Sequence, residues 1–268
     1  RQTGNERPPR YDDHDPMSTP SSSTAPLSAS FDEDAFEAFL ATRDEPSWVS
    51  TRRREAFAAY TEMLSVPLDE EEWKRVELRA FRPDTFALHP PGEQPPSLAT
   101  LMRDRAEFSG AVVHVDGHAT DENLDETLAA QGVRFGDLAR LVREEPDLLE
   151  PHLLTRGVAP GTDRFSAWHS AFWTGGTVLF VPSGVEISIP LYSLIGLATD
   201  GAADFSHTLV VLEDGARATL LEETTSAAPT HRGAHIGAVE LLLGRGAGLQ
   251  YVQLQNWNES TWHIAHQV

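Results

Sequence analysis

The side chains able to do chemistry in this sequence are histidines and paired carboxylates. Its 268 residues include 11 His, 41 Asp or Glu and 21 Lys or Arg, and no Cys. His231 and His235 have H-x-x-x-H spacing, which brings two imidazoles together only on a helix. Gly233 and the strand-like runs around it favour extended chain, where the two lie about 13 Å apart at ~3.3 Å per residue. His263 and His266 fall on opposite faces of a strand. Each would need a neighbouring strand or subunit to complete a site. The pairs Glu213/Asp214 and Glu222/Glu223 face opposite ways on extended chain, so neither is an acid–base pair by itself. Asp214-Gly215 is also a turn signature. These patterns assemble no active site, and structural or surface roles are expected.

The absent motifs are informative. Lys74 is the only lysine and it follows Trp73, whereas a P-loop needs Lys directly after Gly to reach the β/γ-phosphates. No G-x-S-x-G nucleophile elbow occurs. Gly244–Gly248 has the glycine spacing of a dinucleotide loop, but a strand candidate follows it rather than a helix, so it reads as a turn. Without Cys, residues 1–268 supply no disulfide, thiolate nucleophile or Cys-ligated zinc or cluster. The net charge of -20 opposes non-specific phosphate-backbone binding. No apolar run approaches the ~20 residues of a membrane span, and no signal-peptide pattern opens the chain. The expectation is a cytoplasmic protein with neither nucleic-acid nor membrane partner.

The elements that must position these residues divide the chain. Residues 1–29, rich in Pro, Ser, Thr and charge, read as a disordered tail, with Met17 a candidate start. Residues 30–165 read as an N-terminal, mostly helical region. Ser30-Phe31-Asp32-Glu33 has capping-box spacing before Phe36, Phe39 and Leu40. A second helix begins at Pro46 and buries Val49, Ala56, Tyr60, Met63 and Leu64; Arg52, Arg53 and Arg54 read as its solvated face. Trp73, after Glu70-Glu71-Glu72, reads as the anchor of a short docking segment, and the prolines of 83–99 as a linker. A short strand covers 111–115. Helices are expected over 121–131 and 136–155, the second capped by Asp137. From 166 to 268 the sequence is β-rich. Strands are predicted over Thr177–Val181, Glu186–Leu191, Phe205–Leu212, Ala216–Glu222, Ala238–Leu243 and Leu249–Gln255. No helical pattern of ten or more residues separates them, which leaves a sandwich, a barrel or a solenoid of β-coils. The chain reaches His266-Gln267-Val268 still strand-like, as the first part of a longer body would.

Within this block, Phe172–Val185 (FWTGGTVLFVPSGV) resembles the FxxGGxxxYVPKGV opening of the SufB/SufD family, with Ser183 at a position where a basic residue is commoner. Ile189-Pro190-Leu191 is similar to the xPL that follows. Phe205–Ala216 resembles FxRTLIVVxEGA. Ala238-Val239-Glu240 with Gln253–Asn258 resembles AVVE…VQNWS. The motif positions are Gly175, Gly176, Pro182, Gly184, Pro190, Gln255, Asn256 and Trp257, read as structural; a buried side-chain ladder inside the coil, with Trp257 as core, explains Asn256 and Trp257 as well as function does. Glu45–Trp48 and Glu71–Trp73 are similar to the family's N-terminal helical region. The resemblance implies an α-helical N-terminal region on a mainly β body, a right-handed parallel β-helix incomplete at its C-terminal end. It further implies a scaffold subunit of SUF iron–sulfur cluster assembly, most like SufD, pairing with a SufB-like subunit and a SufC-like ATPase. Hydrolysis then belongs to SufC, in keeping with the missing P-loop. No catalytic, cofactor or metal residue is carried over, and a cluster would sit only at a partner interface. Two alternatives stand beside it. One is a SufB-type subunit whose cysteines lie downstream. The other is a β-helical carbohydrate-active enzyme, which requires Glu213, Glu222 and Glu240 to converge in one cleft.

Overall fold

The computed structural model describes residues 30–67, 73, 78–90, 98–103 and 105–268. The expected tail over 1–29, with Met17, most of Glu70–Arg75 and positions 91–97 lie outside the described residues. Two helices open the chain: α1 (Glu33–Ala41) and α2 (Ser47–Leu64). Asp32 caps α1 by accepting a bond from the Ala35 N–H, so the cap lies two residues beyond the expected Ser30. α2 buries Val49, Ala56 and Tyr60 as expected, but Leu64 is exposed. Arg53 corrects the solvated-face reading of the arginine triplet. It is buried, its Nε lies 3.0 Å from Glu45, and its guanidinium stacks 4.0 Å over the Trp173 ring.

Trp73 packs 5.1 Å from the Phe165 ring, as an anchor should. The proline-rich 83–90 is no loose linker: Phe86 and Leu88 are buried, and Ala87 bridges to Ala202. Apolar residues between the prolines supply the contact surface. Next come β1 (Gly110–Val115), β2 (His118–Leu124), α3 (Glu126–Ala130), β3 (Arg134–Asp137), α4 (Leu138–Glu144), α5 (Pro146–Leu149) and α6 (Arg164–Phe172). The helix expected over 121–131 is therefore half strand, because the Asp116-Gly117 turn folds β2 antiparallel onto β1. Asp137 does cap α4, accepting from the Arg140 N–H.

The remaining strands are β4 (Thr177–Val181), β5 (Leu191–Leu197), β6 (Ala202–Asp204), β7 (His207–Leu212), β8 (Arg217–Ser226), β9 (Gly233–Leu243), β10 (Gly248–Asn256) and β11 (Thr261–Gln267). The strand expected over Glu186–Leu191 starts only where that expectation ends; Glu186 contributes an isolated bridge to Arg217. Two sheets form, ordered β10-β8-β5-β1-β2 and β11-β9-β7-β4-β3. Apart from the antiparallel β1–β2 and β3–β4 pairs, the pairings are parallel. From β4 onward the chain shuttles between the sheets. Each return to a sheet takes about 30 residues, as Val178↔Leu209 and Leu209↔Glu240 register shows.

Alternating side chains give each sheet two faces. Leu179, Val181, Leu191, Val210, Leu212 and Leu220 fill the space between the sheets. Val178, Leu209 and Val211 face the helices instead, where Phe31, Phe36, Phe39, Tyr60, Trp168, Phe172 and Phe205 form an aromatic core. Its centre is α6, buried at every position from Phe165 to Phe172. Asp163 and Ser166 form a capping box at its start. On the outer face of the first sheet, Tyr192 and Leu194 pack against Leu98, Met102 and Phe108.

Candidate functional site

The polar side chains gather in the β body, in three buried groups. The first lies between the sheets, beyond the apolar filling. Strand parity puts Thr177 and Thr208 opposite Ser193 and Glu222. Thr177 and Ser193 hydroxyls lie 2.6 Å apart, and Thr208 Oγ1 donates to Glu222 Oε2 at 2.5 Å. Glu222 Oε1 also accepts from the Tyr251 hydroxyl at 2.7 Å and from Gln253 Nε2 at 3.2 Å. Burial, then the Glu222 charge, push the Tyr251 phenol far up, so it stays a donor. Glu223 points outward and accepts from Tyr192 at 2.8 Å and from two backbone N–H groups at Leu101 and Met102.

The second group faces the helices. His169 Nδ1 lies 2.6 Å from the Ile236 carbonyl, and its Nε2 lies 3.0 Å from His207 Nδ1. His207 Nε2 lies 3.1 Å from Glu240 Oε2. All three residues are fully buried. A carbonyl only accepts, so His169 carries its proton on Nδ1 and its Nε2 accepts from His207. Burial, reinforced by the neighbouring His207, pushes His169 well below the usual imidazole range and keeps it neutral. One proton is then needed between His207 and Glu240. Glu240 already accepts from the N–H groups of Leu154, Gly157 and Val158 at 2.8–3.0 Å. Burial raises its carboxyl, but the His207 contact and these bonds outweigh burial and hold it below its usual value. His207 Nε2 and Glu240 Oε2 thus share one buried hydrogen bond, at a carboxyl already held by three backbone N–H donors. His207 occupies the position where the FxRTL pattern has Arg.

The third group stacks along strand register, Asp204↔His235↔His263. Asp204 Oδ2 lies 2.5 Å from His235 Nδ1, and the His235 and His263 rings stack at 5.0 Å with Trp257 5.3 Å from His235. Burial raises the Asp204 carboxyl, but the His235 hydrogen bond and charge prevail and hold it low. Burial, then the His235 charge, push His263 down to about 4.

The motif residues divide accordingly. Gly175 and Gly176 are buried where α6 hands over to β4. Gly176 has φ +132°, and a Cβ there would lie 2.1 Å from the His207 carbonyl oxygen, so only glycine fits. Pro182 and Gly184 form the turn after β4, and Pro190 directly precedes β5. Gln255 is exposed and contacts Gln253 and His263. Asn256 is exposed, and Trp257 is half-buried with its indole N–H unpartnered. His231 stays apart from His235: its Nδ1 contacts the Ala198 carbonyl. His266 contacts Asp163 at 2.7 Å, on the helix side.

Glu213, Glu222 and Glu240 do not converge. Glu213 is exposed and holds Ser183, while the other two are sealed among different partners on different sheets. The carbohydrate-cleaving arrangement is thereby overturned. Among the described residues no group of three His, Asp or Glu is disposed to hold a metal ion, and no helix is long and apolar enough to cross a membrane. His169, His207 and Asp204 are not singled out by the sequence. The signal that would have found the stacks is the coil period: Ser193, Glu222 and Gln253 pair in register, as do Asp204, His235 and His263.

Two family models match this chain. The SufBD protein N-terminal region matches residues 34–192, and the SUF system FeS cluster assembly SufBD core domain matches 195–268. Among curated proteins, iron–sulfur cluster assembly protein SufB of Bacillus subtilis is 26% identical over 157 residues, which is 59% of this chain and 34% of that protein. SufBD family proteins of Staphylococcus saprophyticus and Staphylococcus haemolyticus are 26% and 25% identical over 158 residues, with the same shares. The matched region thus spans about a third of those relatives' length.

Proposed function

This chain belongs to the SufBD family, and from that premise we propose that it is a non-catalytic scaffold subunit in a complex that assembles iron–sulfur clusters. The observation that carries the reading is the pair of family matches, which together run from residue 34 to 268. The shuttling of parallel strands between two sheets supports a right-handed parallel β-helix as the body of the scaffold. The motif residues Gly175, Gly176, Pro182, Gly184 and Pro190 act as its corners, and Gln255, Asn256 and Trp257 as one of its rungs.

In this reading the subunit is SufD-like and pairs with a SufB-like partner. A SufC-like ATPase supplies hydrolysis and shifts the pair when it closes on ATP. The cluster is cargo, assembled at the partner interface in the cytoplasm. The lack of cysteine in residues 1–268 supports SufD; the name of the Bacillus relative favours SufB. Co-expression of the full-length protein with SufB and SufC homologues from one organism tests the reading. A co-purifying complex is expected. Soluble partners that never associate would end it. Cysteine content and iron–sulfur absorbance of the isolated full-length subunit then separate the two types, a SufD-like subunit carrying no chromophore by itself.

A further inference from the structure

The helical side of the molecule holds a pocket of about 150 Å³ unrelated to the buried groups above. It is lined by Thr42, Arg43, Asp44 and Glu45 from the α1–α2 connection, Arg53 of α2, Ala139, Val142 and Arg143 of α4, and Trp173. Three guanidinium groups thus face two carboxylates, in a chain whose net charge is -20. One carboxylate is spoken for: both oxygens of Glu45 take the Arg53 Nε, at 3.0 and 3.1 Å. Arg53 also donates to the Ala171 carbonyl.

Arg43 has no such partner. Its Nη2 reaches the carbonyls of Trp173 and Thr174 at 3.5 and 3.2 Å, and its guanidinium lies 4.5 Å over the Phe39 ring. Its Nε is buried with no hydrogen-bond partner. Leaving a buried cationic donor unsatisfied is costly. Among the described residues neither Arg43 nor Arg143, which is exposed at the rim, forms an ion pair. Burial, then the Arg53 charge, lower Arg43 to about 9, outweighing the Glu45 and Asp137 carboxylates that favour its charge, so a further anion at this guanidinium is electrostatically favourable.

We propose that this pocket binds a small oxyanion, a free phosphate or a small carboxylic acid, between the Arg43 and Arg143 guanidinium groups that line it. Guanidinium groups match both anions with paired N–H donors. The volume sets the size class. It equals the liquid share of about five waters at ~30 Å³ each, and falls short of the roughly 300 Å³ at which drug-sized ligand pockets begin. A nucleotide is therefore too large.

The test is calorimetric titration of the full-length protein with inorganic phosphate and, separately, with acetate at constant ionic strength. Saturable one-site binding of either anion supports the proposal and identifies the ligand. Arg143→Gln, at an exposed position, leaves the fold intact and is expected to weaken that binding about tenfold, as loss of one charge-assisted contact should. Arg54→Gln, outside the pocket, leaves it unchanged. Heat without saturation, or equal weakening by both variants, overturns the proposal.

Discussion

Between the sheets, Leu179, Val181, Leu191, Val210, Leu212 and Leu220 meet at one end, while Thr177, Ser193, Thr208 and Glu222 take inward positions on the same strands at the other. The backbone is the same; only the filling changes. Apolar contact is strong but non-directional, so leucines tolerate a shifted neighbour. A hydrogen-bonded rung is satisfied in one register only, and a one-residue slip turns every inward side chain outward. The apolar end supplies adhesion and the polar end fixes which residues stack.

That contrast is broken or sharpened by substitution at the two ends. Leu220, fully buried, should show the largest effect: Leu220→Ala is expected to cost about 2–5 kcal/mol in urea unfolding. A loss under about 1 kcal/mol would mean the apolar end is not well packed. Glu222→Ala strands the Thr208 and Tyr251 hydroxyls and should cost less, about 1–3 kcal/mol. A larger loss than at Leu220 would reverse the division of labour. The Thr177–Ser193 rung discriminates further. Ser193→Ala alone should cost about 1 kcal/mol, whereas Thr177→Val with Ser193→Ala should be nearly neutral, since no donor is then stranded. Additive losses in that cycle would show the rung stabilising beyond register.

The smallest effect at neutral pH belongs to His263, and it appears as a slope. Its folded-state value near 4 lies below the usual imidazole value of about 6.5. The unfolded chain therefore takes up the proton first as pH falls. The stability due to the neutral ring is present above about pH 6.5 and is lost progressively toward pH 4. His169, also lowered, adds to the same trend. His263→Gln should flatten the fall in melting temperature across that range; an unchanged slope would rule His263 out as a contributor.

Strands β4, β7, β8, β9 and β10 were legible because Gly, Asp and Pro punctuate short apolar runs, and Gly175-Gly176 with Pro182 marks the entry to β4. The polar groups were not legible, because pairing was judged along the chain. Sequence spacing sets His231 beside His235, whereas His235 finds its partners one coil away, at Asp204 and His263. Period-2 alternation also fails where both faces are buried: β5 and β7 are buried at every position. Likewise Arg53 looked like one of three surface arginines, and only the tertiary approach of Glu45 and Trp173 makes it interior.

The bond from the Leu154 N–H to Glu240 spans 86 residues of sequence, and this has a kinetic consequence. Closing so long a segment carries entropy that local contacts repay only after β4, β7 and β9 have stacked. The Leu154–Glu240 bond is therefore expected to form late on the way to the native state and to be absent from its barrier. Weakening it should leave the folding rate nearly unchanged and accelerate unfolding. Glu240, held by Leu154, Gly157 and Val158, acts as a latch on the finished structure.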